Sequence, residues 1–186
     1  MDVIRTALAA VAVGALAVPV LAAPPAAQGA FDAFARVCGE THADYAAVTA
    51  ALDTQGWKAA EVKAATLQGV TVSDHIGRAL RVSGTDLTVF AWRGATANQI
   101  QVSGCTVRVA ALKAEGLRAS AQAWTGFAPQ TTDAKKAAFQ FTDDGAAHRA
   151  LAKADYDAAA AGAGLEMFTV SADGPDTILD LLKIKK

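Results

Sequence analysis

The chain has 186 residues, of which 17 are lysine or arginine and 18 are aspartate or glutamate, so its formal net charge is −1. This near-neutral balance excludes a strongly basic nucleic-acid-binding protein and gives no reason to expect attraction to an anionic membrane surface. The length is that of a single domain able to bury its own hydrophobic core.

The first residues have the three parts of a secretory signal peptide. A short start with one cation, Arg5, leads into an apolar run over residues 7–18, and the small side chains of Ala22 and Ala23 fit a cleavage site. The apolar run is shorter than the roughly 20 residues needed to span a bilayer core. We therefore predict that residues 1–23 are cleaved. The mature protein is then periplasmic or extracellular, with no stable membrane insertion.

The first predicted elements of the mature chain are helical. Residues 24–30 are rich in proline, alanine and glycine and are predicted to be a flexible N-terminus. Phe31, Phe34 and Cys38 are spaced as on one face of a short helix, which Gly39 is placed to end.

A second helix is predicted to begin in the stretch 41–44, which has the Thr-x-x-Asp form of a helix start, and to end at residues 55–56. Trp57 then folds back to pack on the domain. The composition of residues 58–65 allows one more short helix.

The central part of the chain predicts an antiparallel meander of β-strands. Its alternating and β-rich stretches are 69–72, 79–82, 87–92 and 100–109. In the last stretch, Cys105, Val107 and Val109 lie on one face of the strand.

Helical spacing and strands alternate in the remaining sequence. We predict helices over 110–124 and 151–161 and strands over 138–142 and 166–171, with 177–184 favoured as a strand that pairs back on 166–171. Helices come first, then grouped strands, then strands with helices between them. This order predicts an α+β fold, in which N-terminal helices pack on a mainly antiparallel sheet with interspersed helices, as a single domain over residues 31–186.

Cys38 and Cys105 are the only cysteines. An exported protein with two cysteines favours a disulfide, which would join the first helix to a strand of the sheet. The alternative, a catalytic thiolate with a histidine base, requires Cys38 at a helix N-terminus, whereas the pattern places it near a helix end.

The titratable residues form no recognised catalytic or metal-binding motif. The candidates are His42, Asp44, His75, His148, Asp143, Asp144, Asp155 and Asp157. Zinc spacings, a calcium loop, a nucleophile elbow, a P-loop, a dinucleotide fingerprint and a haem attachment site are all missing from the sequence. We predict no cofactor, no metal and no sequence-evident catalytic residue. A site assembled in space from distant residues stays open, for example a metal site from His42, Asp44 and His75.

Aromatic side chains suggest one surface. Phe90 and Trp92 alternate on one face of a predicted strand and are followed by Arg93, so this stretch is the predicted ligand or partner face. The leading functional hypothesis is a non-catalytic binding, inhibitory or accessory module of the cell envelope, whose partner is an envelope protein or a small ligand. The alternatives are a small hydrolase built from distant aspartates and histidines, and a carrier of apolar ligands.

Overall fold

The computed structural model describes residues 25–62, 69–145 and 147–186. The predicted signal peptide, residues 1–23, lies outside them. Among the described residues, no helix is both long and apolar enough to cross a membrane.

Within these residues the chain forms four α-helices and nine β-strands, which confirms the α+β class. The helices are α1 (Pro25–Phe34), α2 (Tyr45–Thr54), α3 (Ala114–Thr125) and α4 (Tyr156–Ala161). The strands are β1 (Lys58–Ala59), β2 (Val70–Val82), β3 (Thr85–Thr96), β4 (Gln101–Val109), β5 (Thr131–Thr132), β6 (Lys136–Asp143), β7 (His148–Ala150), β8 (Leu165–Asp173) and β9 (Asp176–Lys185). A π-helical segment, Ala35–Gly39, continues α1, and a 3₁₀ turn, Lys153–Asp155, precedes α4.

The strands form one antiparallel sheet in the order β1-β2-β3-β4-β9-β8-β6-β5, with β7 also paired to β6. The meander β2–β3–β4 is confirmed, and its two hairpins connect neighbours in sequence. The last strand, β9, inserts between β4 and β8, and Leu179 pairs with both Val107 and Val170. The predicted pairing of 177–184 with 166–171 is therefore confirmed.

The core lies between the sheet and helices α1–α3, on what we call the helix face of the sheet. Alternation places large apolar side chains of each strand on this face. At its centre the rings of Phe34 and Phe168 stack with centroids 4.8 Å apart, and those of Phe139 and Phe168 stack at 5.6 Å. A separate small cluster around Leu151, Ala160 and Leu165 packs beneath α4.

Residues 25–30 of the predicted flexible segment 24–30 are instead the first part of α1, and residue 24 lies outside the described residues. Pro25 suits the first position of a helix because that position needs no N–H acceptor. Ala27 and Ala30 are completely buried, so apolar burial holds this segment in place although its composition resembles a linker.

Helix α2 begins three residues later than predicted. Asp44 is the N-cap, and its carboxylate accepts a hydrogen bond from the backbone N–H of Ala47 at 2.9 Å. The helix ends at Gln55 as expected, and Trp57 is buried.

Two other helical expectations were wrong in part. Residues 58–59 form β1, while 63–65 lie outside the described residues. Only Tyr156–Ala161 of the predicted helix 151–161 is α-helical, since Leu151 follows β7 and a 3₁₀ turn comes next.

The predicted disulfide between Cys38 and Cys105 is present, with Cα atoms 5.5 Å apart and a sequence separation of 67 residues. Both cysteines are fully buried. The bond joins the π-helical segment to β4 and so anchors the chain just before the loop that leads into α2.

Candidate functional site

The helix face of the sheet changes character toward one end. Across β3, β4, β9, β8 and β6, one line of paired residues is completely buried and consists of Ala91, Cys105, Leu181, Phe168 and Phe139. We call this line the apolar row. Two residues further along each strand, the next line on the same face consists of Arg93, Ser103, Lys183, Glu166 and Phe141. We call this line the polar row.

The loop between the π-helical segment and α2 carries His42 to the polar row. His42 and Ala43 have left-handed backbone conformations, with φ of 52° and 51°. Such conformations are uncommon for residues other than glycine and cost free energy. Backbone hydrogen bonds stabilise them here, from His42 N–H to the carbonyl of Gly39 at 2.9 Å and from Ala43 N–H to that of Cys38 at 3.0 Å.

The imidazole of His42 contacts two carboxylates. Its Nδ1 lies 3.1 Å from Oε1 of Glu166 and 3.9 Å from Oδ2 of Asp143. Glu166 is only 3% exposed, whereas His42 is 36% exposed. The buried carboxyl therefore holds Nδ1, and Nε2 on the opposite side of the ring is the nitrogen available to a ligand.

A second histidine pairs with the same aspartate. His148 places Nε2 3.1 Å from Oδ2 of Asp143 and Nδ1 3.0 Å from the carbonyl oxygen of Trp124. A backbone carbonyl can only accept, so Nδ1 carries a hydrogen, and the contact of Nε2 with a carboxyl requires a second shared proton. The ring packs between Trp124 and Phe141, with centroids 4.3 and 4.7 Å away, which fixes its orientation.

Burial controls the electrostatics of the cluster. Desolvation raises the pKa of the Glu166 carboxyl above its ordinary value, and the nearby charges of His42 and Lys183 oppose that rise. Lys183 Nζ lies 3.8 Å from Oε1 of Glu166, the same oxygen that His42 contacts. The other oxygen, Oε2, is buried and has no hydrogen-bond partner among the described residues. We call His42, Asp143, His148 and Glu166 the acid–base cluster.

Some of the predicted candidates lie elsewhere. His75 is exposed on the opposite face of the sheet, beside Phe90, so it does not meet His42 and Asp44. No group of three or more potential ligands among the described residues is arranged to hold a metal ion. Asp157 is exposed and accepts a hydrogen bond from Lys186 at the chain end.

The chain turns at Asp143–Gly145, where Gly145 N–H donates a hydrogen bond of 2.6 Å to Asp143 Oδ1. Two grooves lie beside this turn. One, of about 520 Å³, is lined by Trp124, Thr125, Gly126, Asp143, Gly145, Ala147 and His148. The other, of about 690 Å³, is lined in part by Asp143, Asp144, Arg149 and Asp155. Asp143 is thus both a turn residue and a member of the acid–base cluster.

The predicted ligand face at Phe90, Trp92 and Arg93 is not one surface. Trp92 is only 2% exposed, and its indole lies directly over Gly104, where any Cβ would clash with the ring. Arg93 projects from the helix face, as its contact with the Tyr45 ring at 5.3 Å shows. Sequence alternation separated Arg93 from Trp92, but it did not reveal that a neighbouring glycine lets the indole lie flat and buried.

Sequence reasoning missed Glu166 and Lys183. A signal for Glu166 was present, because it shares the inward-facing parity of Phe168 and Val170 in the predicted strand. Lys183 likewise shares parity with the fully buried Leu179 and Leu181. A charged residue on a buried face needs a partner, so both positions point to an ionic site.

No protein-family model matches the chain, and no curated protein or solved structure matches it significantly.

Proposed function

We propose that this protein is an exported hydrolase in which His42 is the general base. The observation that carries the proposal is the convergence of His42, Glu166 and the cross-strand pair Asp143–His148 at a partly exposed edge of the core. Of the functions considered from the sequence, the hydrolase built from distant residues is the one that this geometry supports. The signal peptide pattern and the disulfide support export, since disulfides persist in oxidising compartments.

His42 has the features of a general base. The carboxyl of Glu166 holds Nδ1 and fixes the tautomer that leaves Nε2 free of a proton. In the proposed reaction Nε2 takes a proton from a water molecule while the water oxygen bonds to the electrophilic centre of the substrate. The bond to the leaving group then breaks, and the imidazolium returns the proton to that group. Glu166 stabilises the imidazolium that forms between these steps.

The pair of Asp143 and His148 is proposed to position the cluster. Asp143 Oδ2 lies 3.9 Å from Nδ1 of His42 and 3.1 Å from Nε2 of His148, so this carboxyl bridges the two histidines. The groove of about 520 Å³ beside this pair offers space for the leaving group. Its wall includes Trp124, whose ring is held by several aromatic contacts and is therefore rigid.

One observation favours a second candidate, a non-catalytic binding module of the envelope. Both ring nitrogens of His148 are already occupied by protein acceptors, so this half of the cluster also serves as a structural ion pair. In that case the cluster would hold the loop 40–44 against the sheet, and turnover would not occur.

Hydrolysis assays on the disulfide-bonded mature protein separate the two candidates. The substrates are nitrophenyl esters, phosphates and glycosides, and the variants are His42→Gln and the exposed control His75→Gln. General acid–base catalysis contributes about 100- to 10,000-fold, so His42→Gln should lower kcat by at least about 100-fold on the substrate that is turned over, while His75→Gln retains full activity. The absence of turnover on every substrate class, or equal activity of the two variants, would overturn the hydrolase and favour the binding module.

A further inference from the structure

On the other side of the acid–base cluster, the polar row leads into a further cavity. This cavity, of about 310 Å³, lies over the row between β3, β4, β9 and the start of α2. Its lining includes three cationic side chains, those of Arg93, Lys183 and Lys185, together with Ser103. We call it the cationic pocket.

We propose that the cationic pocket binds an oxyanion group, a phosphate or a carboxylate, of the substrate that His42 hydrolyses. This inference rests on the proposed function, because it assumes that the bound oxyanion belongs to the substrate of the hydrolase. Lys183 links the cationic pocket to the acid–base cluster. It lines the pocket, and its Nζ lies 3.8 Å from Oε1 of Glu166, the oxygen that Nδ1 of His42 also contacts. The start of α2, from its N-cap Asp44 to Ala46, also lines the pocket.

Among the side chains that line the pocket, three are cationic and one, Asp44, is anionic, whereas the two further carboxylates nearby, Asp74 and Glu166, do not line it. Arg93 is paired with Asp74 through a hydrogen bond of 2.6 Å, and Lys183 is 3.8 Å from Glu166. Asp44 also lines the pocket, but its carboxylate caps α2 by accepting from Ala47. No ion-pair partner of Lys185 is present among the described residues.

The backbone adds to this preference. Tyr45 and Ala46 line the pocket at the first turn of the ten-residue helix α2. The N–H groups of a first helical turn have no acceptor within the helix, and the helix dipole favours negative charge there. The Arg93 guanidinium, whose Cζ lies 5.3 Å from the centroid of the Tyr45 ring, is restrained beside the pocket by this cation–π contact.

Binding can be measured without turnover. The protein is titrated with inorganic phosphate and, separately, with acetate at constant ionic strength, and binding is followed by backbone amide NMR shifts. Saturable shifts at Tyr45, Ala46 and Ser103 are expected, and the ion with the higher affinity identifies a phosphoryl or a carboxylate ligand. Shifts that do not saturate with either ion, or that map to another surface, would overturn the proposal.

Matched charge removals test the site itself. Arg93→Gln and Lys185→Gln should each weaken binding of the better ion by about three- to tenfold, because a hydrogen bond to a charged group is lost. Arg81→Gln removes the same charge at an exposed position of β2 and should leave the affinity unchanged. Equal weakening by Arg81→Gln would show only a general charge effect and would overturn the pocket.

The failure of this inference is distinguishable from failure of the proposed function. His42→Gln should abolish turnover but retain ion binding, whereas Arg93→Gln should raise KM with little change in kcat for an anionic substrate. Ion binding without any hydrolysis would support the pocket as a ligand site and would overturn the proposed hydrolase function. Hydrolysis that is unchanged by Arg93→Gln and by Lys185→Gln would support the hydrolase and would overturn the pocket as its substrate site. The disulfide-bonded fold of each variant is checked by its thermal unfolding midpoint.

Discussion

The apolar row and the polar row lie one step apart on the same sheet face, yet opposite forces hold them. The apolar row is stabilised by the removal of its side chains from water, and all five of its residues are completely buried. The polar row lies at the rim, where Glu166 is buried but Arg93 is exposed, and its groups are held by pairing. Two residues further along these five strands, the apolar core thus gives way to an edge that carries charged and polar side chains and is positioned by that core.

The largest effect is expected in the apolar row. Phe168 is completely buried and stacks on both Phe34 and Phe139. Phe168→Ala should lower the free energy of unfolding by about 3–5 kcal/mol, because it removes apolar burial and leaves a cavity. Urea denaturation measures the change.

Met167→Ala is the control, since Met167 is half-buried on the other side of the same strand. Met167→Ala should lower the free energy of unfolding by clearly less than Phe168→Ala does. Equal losses from the two variants would show that the two faces of β8 contribute equally, which would contradict the asymmetry proposed for the sheet.

The disulfide anchors the segment that precedes His42 to the apolar row, and its loss is expected to have the next largest effect. Cys105 belongs to the apolar row, and Cys38 lies four residues before His42. The double variant Cys38→Ala with Cys105→Ala should lose roughly 4 kcal/mol of stability, the chain-entropy value for a loop of this size.

Reduction of the wild-type protein under the same conditions should produce a similar loss. Intact mass after alkylation, with and without reductant, verifies the redox state in each case. If the reduced protein unfolds at the same urea concentration as the oxidised one, the bond does not stabilise the fold.

The contrast between the rows also explains which features of the structure could be predicted from the sequence. The hairpins of β2–β4 were predictable because alternation and turn residues act locally, and Ser83–Gly84 lies at one such turn. The disulfide was predicted because the chain has two cysteines and a sequence pattern that indicates export. The register of β9 between β4 and β8 brings together residues about 70 positions apart, and no local pattern encodes such a pairing.

The acid–base cluster was less predictable for the same reason. His42, Asp143 and His148 were each named from their side-chain chemistry. The β6–β7 hairpin brings Asp143 and His148 together locally, but the approach of His42 to them depends on a left-handed loop and on packing between distant parts of the chain. The start of α2 was misplaced because Thr41 and Asp44 both suit a helix cap, and only the backbone of the loop selects Asp44. Local propensity therefore located the elements, while non-local packing determined the site.

The polar row should show a pH effect that the apolar row lacks. Burial raises the pKa of Glu166 in the folded protein above its ordinary value of 4.5. The folded state then binds this proton more tightly than the unfolded state does, so its contribution to stability falls as pH rises through 4.5 and toward the raised pKa. Below 4.5 both states are protonated, and above the raised pKa the loss is complete.

Glu166→Gln removes this titration and retains an oxygen that can accept from His42. The stability of the variant relative to wild type should therefore increase across that pH range, as followed by urea denaturation at a series of pH values. Glu61→Gln, at an exposed position, is the matched control. A constant difference between Glu166→Gln and wild type across the range would mean that Glu166 titrates normally.

The smallest effect is expected at an ion pair outside both rows. Arg81 and Asp86 are joined by hydrogen bonds of 2.8 and 3.1 Å, but their side chains are 67% and 65% exposed. Because water screens such a pair, a double-mutant cycle of Arg81→Ala and Asp86→Ala should give a coupling energy of about 0.5 kcal/mol or less. The corresponding cycle of Asp143→Asn and His148→Gln, whose groups are 12% and 13% exposed, should give a larger value, since each single change leaves a buried partner unsatisfied. Similar coupling in the two cycles would mean that burial adds nothing to the pairing in the acid–base cluster, and the cluster would then be a set of ordinary surface contacts with no reason to hold a proton for catalysis.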